Sequence, residues 1–258
     1  ELTDRMGVQS EVAQMDVAAR RKSTSESVEM ACRELRYRWF DEMAHKHDLQ
    51  AVAVAHHRND QVETFFLNLL RGAGVRGLAA MKPRNGLIIR PLLEITRKEL
   101  TDYLDSKGLP HITDSTNACD DFKRNRLRNR LIPLLEELFP GASDSISRSI
   151  GNLRRQATLL DENTDRLRSR YVGDGDIIDL QRVMDCERHP SEALYEIMTL
   201  WGFNASVTDD IIASSDKTGA VFNGKERSFI LERGKLSPHD AEVVRPGGVF
   251  AHPSEIPG

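Results

Sequence analysis

Residues 51–55 read Ala-Val-Ala-Val-Ala and pass without transition into His56-His57-Arg58-Asn59-Asp60. A run that is apolar at every position has no face to offer water. As a strand it must be covered on both sides, which is the situation of a parallel sheet packed between helices. The flanking patterns supply those helices: Val28, Ala31, Cys32, Leu35 and Trp39 recur at helical spacing on one side, and Val62, Phe65, Phe66, Leu69 and Leu70 on the other, closing near Gly72. Alternating apolar positions from Val8 to Val17 predict an earlier strand, with Ser23 and Glu26 at capping-box spacing ahead of the first helix. Leu87-Ile88-Ile89 predicts a further strand, and Thr96 with Glu99 opens a helix that stops at Gly108. Strand and helix thus alternate from 8 to 108, so the expected class is α/β with a parallel sheet. In such sheets ligands lie beyond the carboxyl ends of the strands, where the polar run after Ala55 falls.

After Asn125 helical patterns dominate, and Ile146, Ile150, Leu153, Ala157 and Leu160 mark a long helix following Ser143. The expected division is an α/β domain over 1–140, a smaller, mostly helical domain over 141–235, and a proline-containing linker or tail over 236–258. Within the second domain Ser191 to Leu200 reads as a helix ended by Gly202. Gly219 to Asn223 and Arg227 to Leu231 flank Gly224-Lys225 as a small hairpin. A chain of 258 residues suffices for two such units. Its apolar runs fall far short of the ~20 residues a membrane helix needs, so no membrane association is expected. Cys32, Cys119 and Cys186 form no CxxC and no even set, which suits a reducing, cytoplasmic setting. The first residue is Glu1, in mid-pattern, and the chain reads as a fragment or processed product.

The net charge of −4 means that any attraction to nucleic acid must come from a local patch. One exists: Lys123-Arg124-Asn125-Arg126-Leu127-Arg128-Asn129-Arg130 carries five cations in eight residues and no acid. Arg124 and Arg128 share a helical face and suit bidentate contact with phosphates, although a solubilising surface would use the same residues. At the end of the 51–55 strand, His56, His57, Asp60 and Glu63 form an imidazole and carboxylate cluster. An ordinary solvated connection, with Asp60 favouring the helix N-terminus, fits the spacing equally well. No HExxH or HxH spacing occurs in this cluster, and no metal site is expected. Gly72-Ala73-Gly74-Val75-Arg76-Gly77 matches GxGxxG, but it follows a helix rather than a strand, so it reads as a helix end and loop. Arg33, Arg36 and Arg38 share a helix, and Arg36 follows the apolar Leu35. Asp114-Ser115-Thr116-Asn117 alone is a turn-prone loop.

Taken together, Ala-His-His-x-Asn-Asp-Gln-x-Glu-Thr at 55–64, Leu-Arg-Gly-x-Gly at 70–74, Gly-Leu-Ala-Ala-Met at 77–81, Arg-Pro-Leu-Leu at 90–93, Asp-Ser-Thr-Asn at 114–117 and Arg-Asn-x-x-Arg at 124–128 resemble the tRNA(Ile)-lysidine synthetase family. Glu34-Leu35-Arg36-Tyr37 also matches, so the likeness is close over roughly 8–160 and loose beyond. It implies an N-type, PP-loop ATP pyrophosphatase fold. The implied reaction puts lysine at C2 of the wobble cytidine of an isoleucine tRNA with a CAU anticodon. ATP and Mg2+ are the implied cofactors, and L-lysine and the tRNA the partners, with a homodimer as the expected assembly. The resemblance assigns Arg36, His56, His57, Asp60 and Arg128 to catalysis and Asp60 and Glu63 to the amino acid. Lys123, Arg124, Asn125, Arg126, Arg128 and Arg130 fall to RNA or phosphate. The family's early Ser-Gly-Gly-x-Asp-Ser loop does not occur in these residues. The expectation is therefore that the first strand and loop are missing and that residues 1–258 alone form no lysidine. A non-catalytic tRNA-binding fragment and a tRNA thiolation enzyme are the competing readings.

Overall fold

The computed structural model describes residues 2–24, 27–109 and 123–239. Glu26, Asp114-Ser115-Thr116-Asn117, Cys119 and the segment 240–258 lie outside the described residues. The chain divides into two compact units, Glu1–Arg154 and Arg155–Gly258.

Three helices precede the sheet of the first unit. α1 spans Leu2–Met6, α2 Val17–Thr24 and α3 Val28–Lys46. Residues 8–16, expected as a strand, have no regular structure and are almost wholly exposed. Alternation alone does not make a strand without a partner ladder, and Val17 begins a helix instead. The first long helix does follow, but its cap is Ser27, whose side chain accepts the Met30 N–H, and not Ser23. α3 buries Ala31, Leu35 and Ala44.

β1 (Val52–Ala53), β2 (Arg84–Asn85) and β3 (Ile88–Ile89) form a sheet of order β1-β3-β2. β1 and β3 run parallel with Val52 opposite Ile88, whereas β2 is antiparallel to β3. The α/β character is present, but the sheet is small and mixed, with one parallel pair. Between β1 and β2 lie α4 (Arg58–Leu69) and α5 (Val75–Leu78), the latter following the Gly72-Ala73-Gly74 loop. After β3 comes α6 (Arg97–Ser106), opened by the Thr96–Glu99 capping box read from the sequence.

The starts of α4 and α6 are tied together. Arg58 N–H donates to the Ile95 carbonyl at 2.8 Å, and the Arg97 N–H donates to Asn59 Oδ1 at 2.9 Å. These bonds hold the polar run after Ala55 at the carboxyl end of β1. α7 (Lys123–Arg126), a π-helical turn (Leu127–Leu131) and α8 (Ile132–Leu138) follow, and α9 (Ala142–Tyr171) contains the division between the units.

The second unit carries the larger core. Tyr171, Ile178, Leu180, Leu194, Ile197, Met198, Ile211, Phe229, Leu231 and Leu236 are all essentially inaccessible to solvent. Each such side chain contributes about 1.5–3 kcal/mol relative to exposure. They come from α9, α10 (Leu180–Cys186), α11 (Pro190–Met198), α12 (Ala205–Ala213) and a four-stranded antiparallel sheet. Its strands β4 (Ile178–Asp179), β5 (Ala220–Asn223), β6 (Ser228–Glu232) and β7 (Lys235–His239) stand in the order β4-β7-β6-β5. The expected hairpin is β5–β6, with Phe222 opposite Phe229. β7 is a correction, because its proline and position had marked it as tail. Pro238 is tolerated because β4 pairs only with Lys235 and Leu236, leaving β7 an edge at Pro238 on that side.

In the β5–β6 turn, a Cβ on Gly224 would collide with the Phe203 ring and the Trp201 carbonyl. Both aromatic rings pack on Phe229, at 5.9 and 4.9 Å between centroids. Gly224→Ala is expected to destabilise this unit by about 1–3 kcal/mol through overpacking, read as a lower urea midpoint at unchanged slope.

Candidate active site

α4 places four consecutive residues out of contact with water: Asp60, Gln61, Val62 and Glu63. Three of them are polar, and polar side chains are normally excluded from such positions unless each is satisfied. Gln61 is satisfied locally. Its amide donates to the Met81 carbonyl at 3.0 Å and accepts the Met81 N–H at 2.8 Å, pinning the loop after α5. Asp60 and Glu63 are satisfied from more than sixty residues away.

Glu63 is 1 % exposed, and both of its oxygens are occupied. Arg124 Nε donates to Oε2 at 2.5 Å, Arg128 Nε to Oε1 at 2.6 Å, and Arg128 Nη2 to Oε2 at 3.0 Å. Asp60, 8 % exposed, accepts Arg124 Nη2 on Oδ1 at 3.2 Å and lies 3.5 Å from Arg128 Nη2. Its Oδ2 accepts the His57 backbone N–H at 3.0 Å, closing the first turn of α4. Two carboxylates and two guanidiniums thus neutralise each other in one cluster. Burial alone would lower the Arg128 pKa, but the hydrogen bonds and charge of Glu63, with Asp60, outweigh it and raise it above the ordinary value.

The two histidines stand beside this cluster. The His57 ring Nδ1 is 3.5 Å from Asp60 Oδ2, beyond hydrogen-bond reach. Buried Nδ1 atoms of both His56 and His57 have no hydrogen-bond partner among the described residues. Burial depresses the pKa of each. For His56, Asp60 opposes this while Arg90, Arg124 and Arg33 reinforce it. For His57, Asp60 and Glu63 oppose it while Arg128 and Arg97 reinforce it. Both imidazoles are therefore neutral at pH 7 and able to accept a proton.

Of the residues expected from the sequence, the structure gathers His57, Asp60, Glu63, Arg124 and Arg128 at one place, with His56 adjoining. Arg36 lines a cleft of about 480 Å³ with Ala13, Met15, Val17, Cys32, Trp39 and Phe40. Lys123, Arg126 and Arg130 are exposed along the same helical stretch, and Asn125 is half-buried. The site also contains residues that periodicity did not single out. Arg90, 6 % exposed, donates to the Lys82 carbonyl at 2.8 Å and to the Tyr37 hydroxyl at 3.4 Å, while Arg33 stacks over the Tyr37 ring at 4.7 Å. The one available signal was that Arg90 heads the Arg-Pro-Leu-Leu run. Among the described residues no group of three His, Cys, Asp or Glu could hold a metal ion, and no helix is long and apolar enough to cross a membrane.

Glu63→Gln removes one carboxylate of a buried charge cluster and leaves two guanidiniums to share Asp60 alone, so a loss of about 3–5 kcal/mol of unfolding free energy is expected by chemical denaturation. A second expectation concerns pH. A histidine whose folded pKa lies below its unfolded value of 6.5 binds fewer protons folded than unfolded. Stability is then level above about pH 7 and falls as pH drops through 6.5 toward the folded pKa. Replacing both His56 and His57 by Gln should flatten that limb of the stability profile.

Residues 1–135 match the model of the PP-loop domain. The tRNA(Ile)-lysidine synthase of Parabacteroides distasonis is 40 % identical over 211 residues, covering 81 % of this chain and 48 % of that protein. That of Bacteroides thetaiotaomicron is 38 % identical over 221 residues, covering 85 % and 51 %. The chain spans about half the length of the curated relatives it matches. A solved U34-tRNA thiolase from Methanococcus maripaludis overlaps at a TM-score of 0.38 and 17 % identity, over 58 % of this chain and 48 % of that one, too slight a likeness to bear on the site. With its first 135 residues matched and its motif carboxylates and arginines clustered beyond β1, the chain belongs to the PP-loop domain family.

Proposed function

We propose that this chain carries the catalytic part of a tRNA(Ile)-lysidine synthase, joining L-lysine to C2 of the wobble cytidine of an isoleucine tRNA with a CAU anticodon at the expense of ATP. The observation that supports this best is the neutral quartet of Asp60, Glu63, Arg124 and Arg128 beside two uncharged imidazoles. A cytoplasmic setting and a homodimer belong to the same proposal.

The chemistry needs those groups. The C2 oxygen of cytidine is a poor leaving group, so it first forms a bond to the α-phosphorus of ATP as pyrophosphate departs. The lysine amine then forms its bond to C2, the C2–O bond breaks, and AMP leaves with the oxygen. The amine must arrive as an ammonium and react as a free base. Asp60, less completely enclosed than Glu63, is the carboxylate that holds it, and His57 beside Asp60 accepts the proton. Glu63 has both oxygens committed, so its part in holding lysine is to fix Arg124 and Arg128, which in this proposal share their charge with what develops on the departing phosphate. Arg36, on the cleft it lines with Cys32, Trp39 and Phe40, keeps the catalytic part that the resemblance gives it. The described residues offer magnesium no three-ligand set, and in this proposal the ion arrives on the phosphates of ATP, with no step assigned to it.

The basic stretch then has two faces. Arg124 and Arg128 turn inward to the carboxylates, while the exposed Lys123, Arg126 and Arg130 meet the tRNA backbone, with Asn125 flanking them. In the full-length protein Asp60→Asn should lower lysine-dependent AMP release at least about 100-fold with tRNA affinity changed less than twofold. The Lys123→Ala, Arg126→Ala, Arg130→Ala combination should instead weaken tRNA binding and flatten its dependence on log salt by roughly 0.7–0.9 per lost contact. An unchanged salt slope would remove those residues from the RNA surface, and full AMP release by the Asp60→Asn variant would remove Asp60 from the reaction.

A further inference from the structure

Arg124 and Arg128 must both reach one nearly inaccessible carboxylate, and the backbone that carries them is not a continuous α-helix. Lys123–Arg126 is α-helical, Leu127–Leu131 is π-helical, and Ile132–Leu138 is α-helical again. At the end of the wide turn the Ile132 N–H donates to the Leu127 carbonyl, five residues back and not four. The next residue is Pro133. In an α-register its missing N–H would leave the Asn129 carbonyl without its backbone donor, and its ring would press on that carbonyl. A π-turn adds a residue to the loop and moves the carbonyl aside. From Lys123 to Leu138 there is no glycine, and Pro133 is the one residue that cannot continue an α-helix.

The wide turn has a consequence for the side chains. Arg124 lies just before it and Arg128 within it. Closing the turn to an α-register would rotate everything before it by up to about 100° relative to α8, the angle of one residue. Glu63 could not keep Arg124 Nε on Oε2 and Arg128 Nε on Oε1 through such a rotation, because its side chain is enclosed and cannot follow.

We propose that Pro133 is a positioning residue for the reaction: it holds the π-turn open and thereby sets Arg124 and Arg128 on the two oxygens of Glu63. This rests on the reading of the quartet as the reacting site. Pro133 itself acts only through the backbone and the arginines.

The test is Pro133→Ala in the full-length protein, with Pro133→Ser as a second variant that restores the same N–H. Two measurements are made. Amide hydrogen exchange should show a new, strongly protected amide at position 133 in either variant, as its N–H closes on the Asn129 carbonyl. Lysine-dependent AMP release should fall at least about tenfold in kcat for Pro133→Ala, and adding Pro133→Ala to Arg128→Ala should cost less than the product of the two single losses, because part of the effect of Pro133 runs through Arg128. A fast-exchanging amide at 133, an undiminished kcat, or losses that multiply in the double variant would each overturn the proposal. If the unaltered protein releases no AMP in response to lysine, the functional reading fails instead, and the exchange measurement still decides whether Pro133 holds the turn.

Discussion

A carboxylate that is 1 % exposed cannot stay charged alone, and Glu63 is the group around which the first unit is arranged. Its partners do not come from its own helix, where the one cation, Arg58, pairs with Asp144. They come from 61 and 65 residues further along the chain, so burying Glu63 obliges the basic stretch to fold back against α4. The pairing is thus a topological constraint as much as an energetic one. Replacing such a cluster with well-packed apolar residues often leaves stability unchanged. Its retention in a buried, polar stretch of helix is explained by what it holds in place rather than by what it adds to folding.

The same enclosure governs the histidines. His56 and His57 sit where the sheet ends and α4 begins, tied there by bonds from Arg58 and Asn59 to the segment that opens α6. Burial discourages their protonated forms, and the arginines on either side discourage them further, against the pull of Asp60. A carboxylate beside an imidazole ordinarily raises its pKa, so the direction here shows that desolvation and the neighbouring guanidiniums win over one acid.

The sequence made legible whatever depended on local chemistry. Thr96 and Glu99 cap α6 reciprocally as their spacing required, and the apolar run after Ala51 does end at the clustered polar groups. Residues 8–16 show the opposite case, since alternation describes a strand's faces and says nothing about whether another strand is there to pair with it. Pro238 shows another, because whether a proline can join a ladder depends on which of its neighbours extends that far. At the site, motif residues converged where Asp60, Glu63, Arg124 and Arg128 were concerned, while Arg36 and Arg33 could not be told apart by periodicity. Only the placement of Tyr37 and Arg90 shows that Arg33 is the one facing the His56 side. The π-turn was invisible as well, being a property of hydrogen-bond register and not of composition.

Under the proposed function, the charges around the site also favour one order among ligands. Asp60 and Glu63 are cancelled by Arg124 and Arg128, and among the described residues Arg33 and Arg90 act on His56 without a carboxylate of their own among their hydrogen bonds. Among the described residues, the charges that act on His56 are Asp60 on one side and Arg90, Arg124 and Arg33 on the other. A polyphosphate entering first is attracted and lowers the local potential, after which a lysine ammonium meets a field it can enter; in the reverse order the ammonium must displace or share guanidinium contacts at Asp60. The coupling is reciprocal, so the nucleotide should tighten lysine by the same factor as lysine tightens the nucleotide. That symmetry is required by thermodynamics, while the charge arrangement sets the sign of the coupling, and both hold whichever of the two histidines takes the proton.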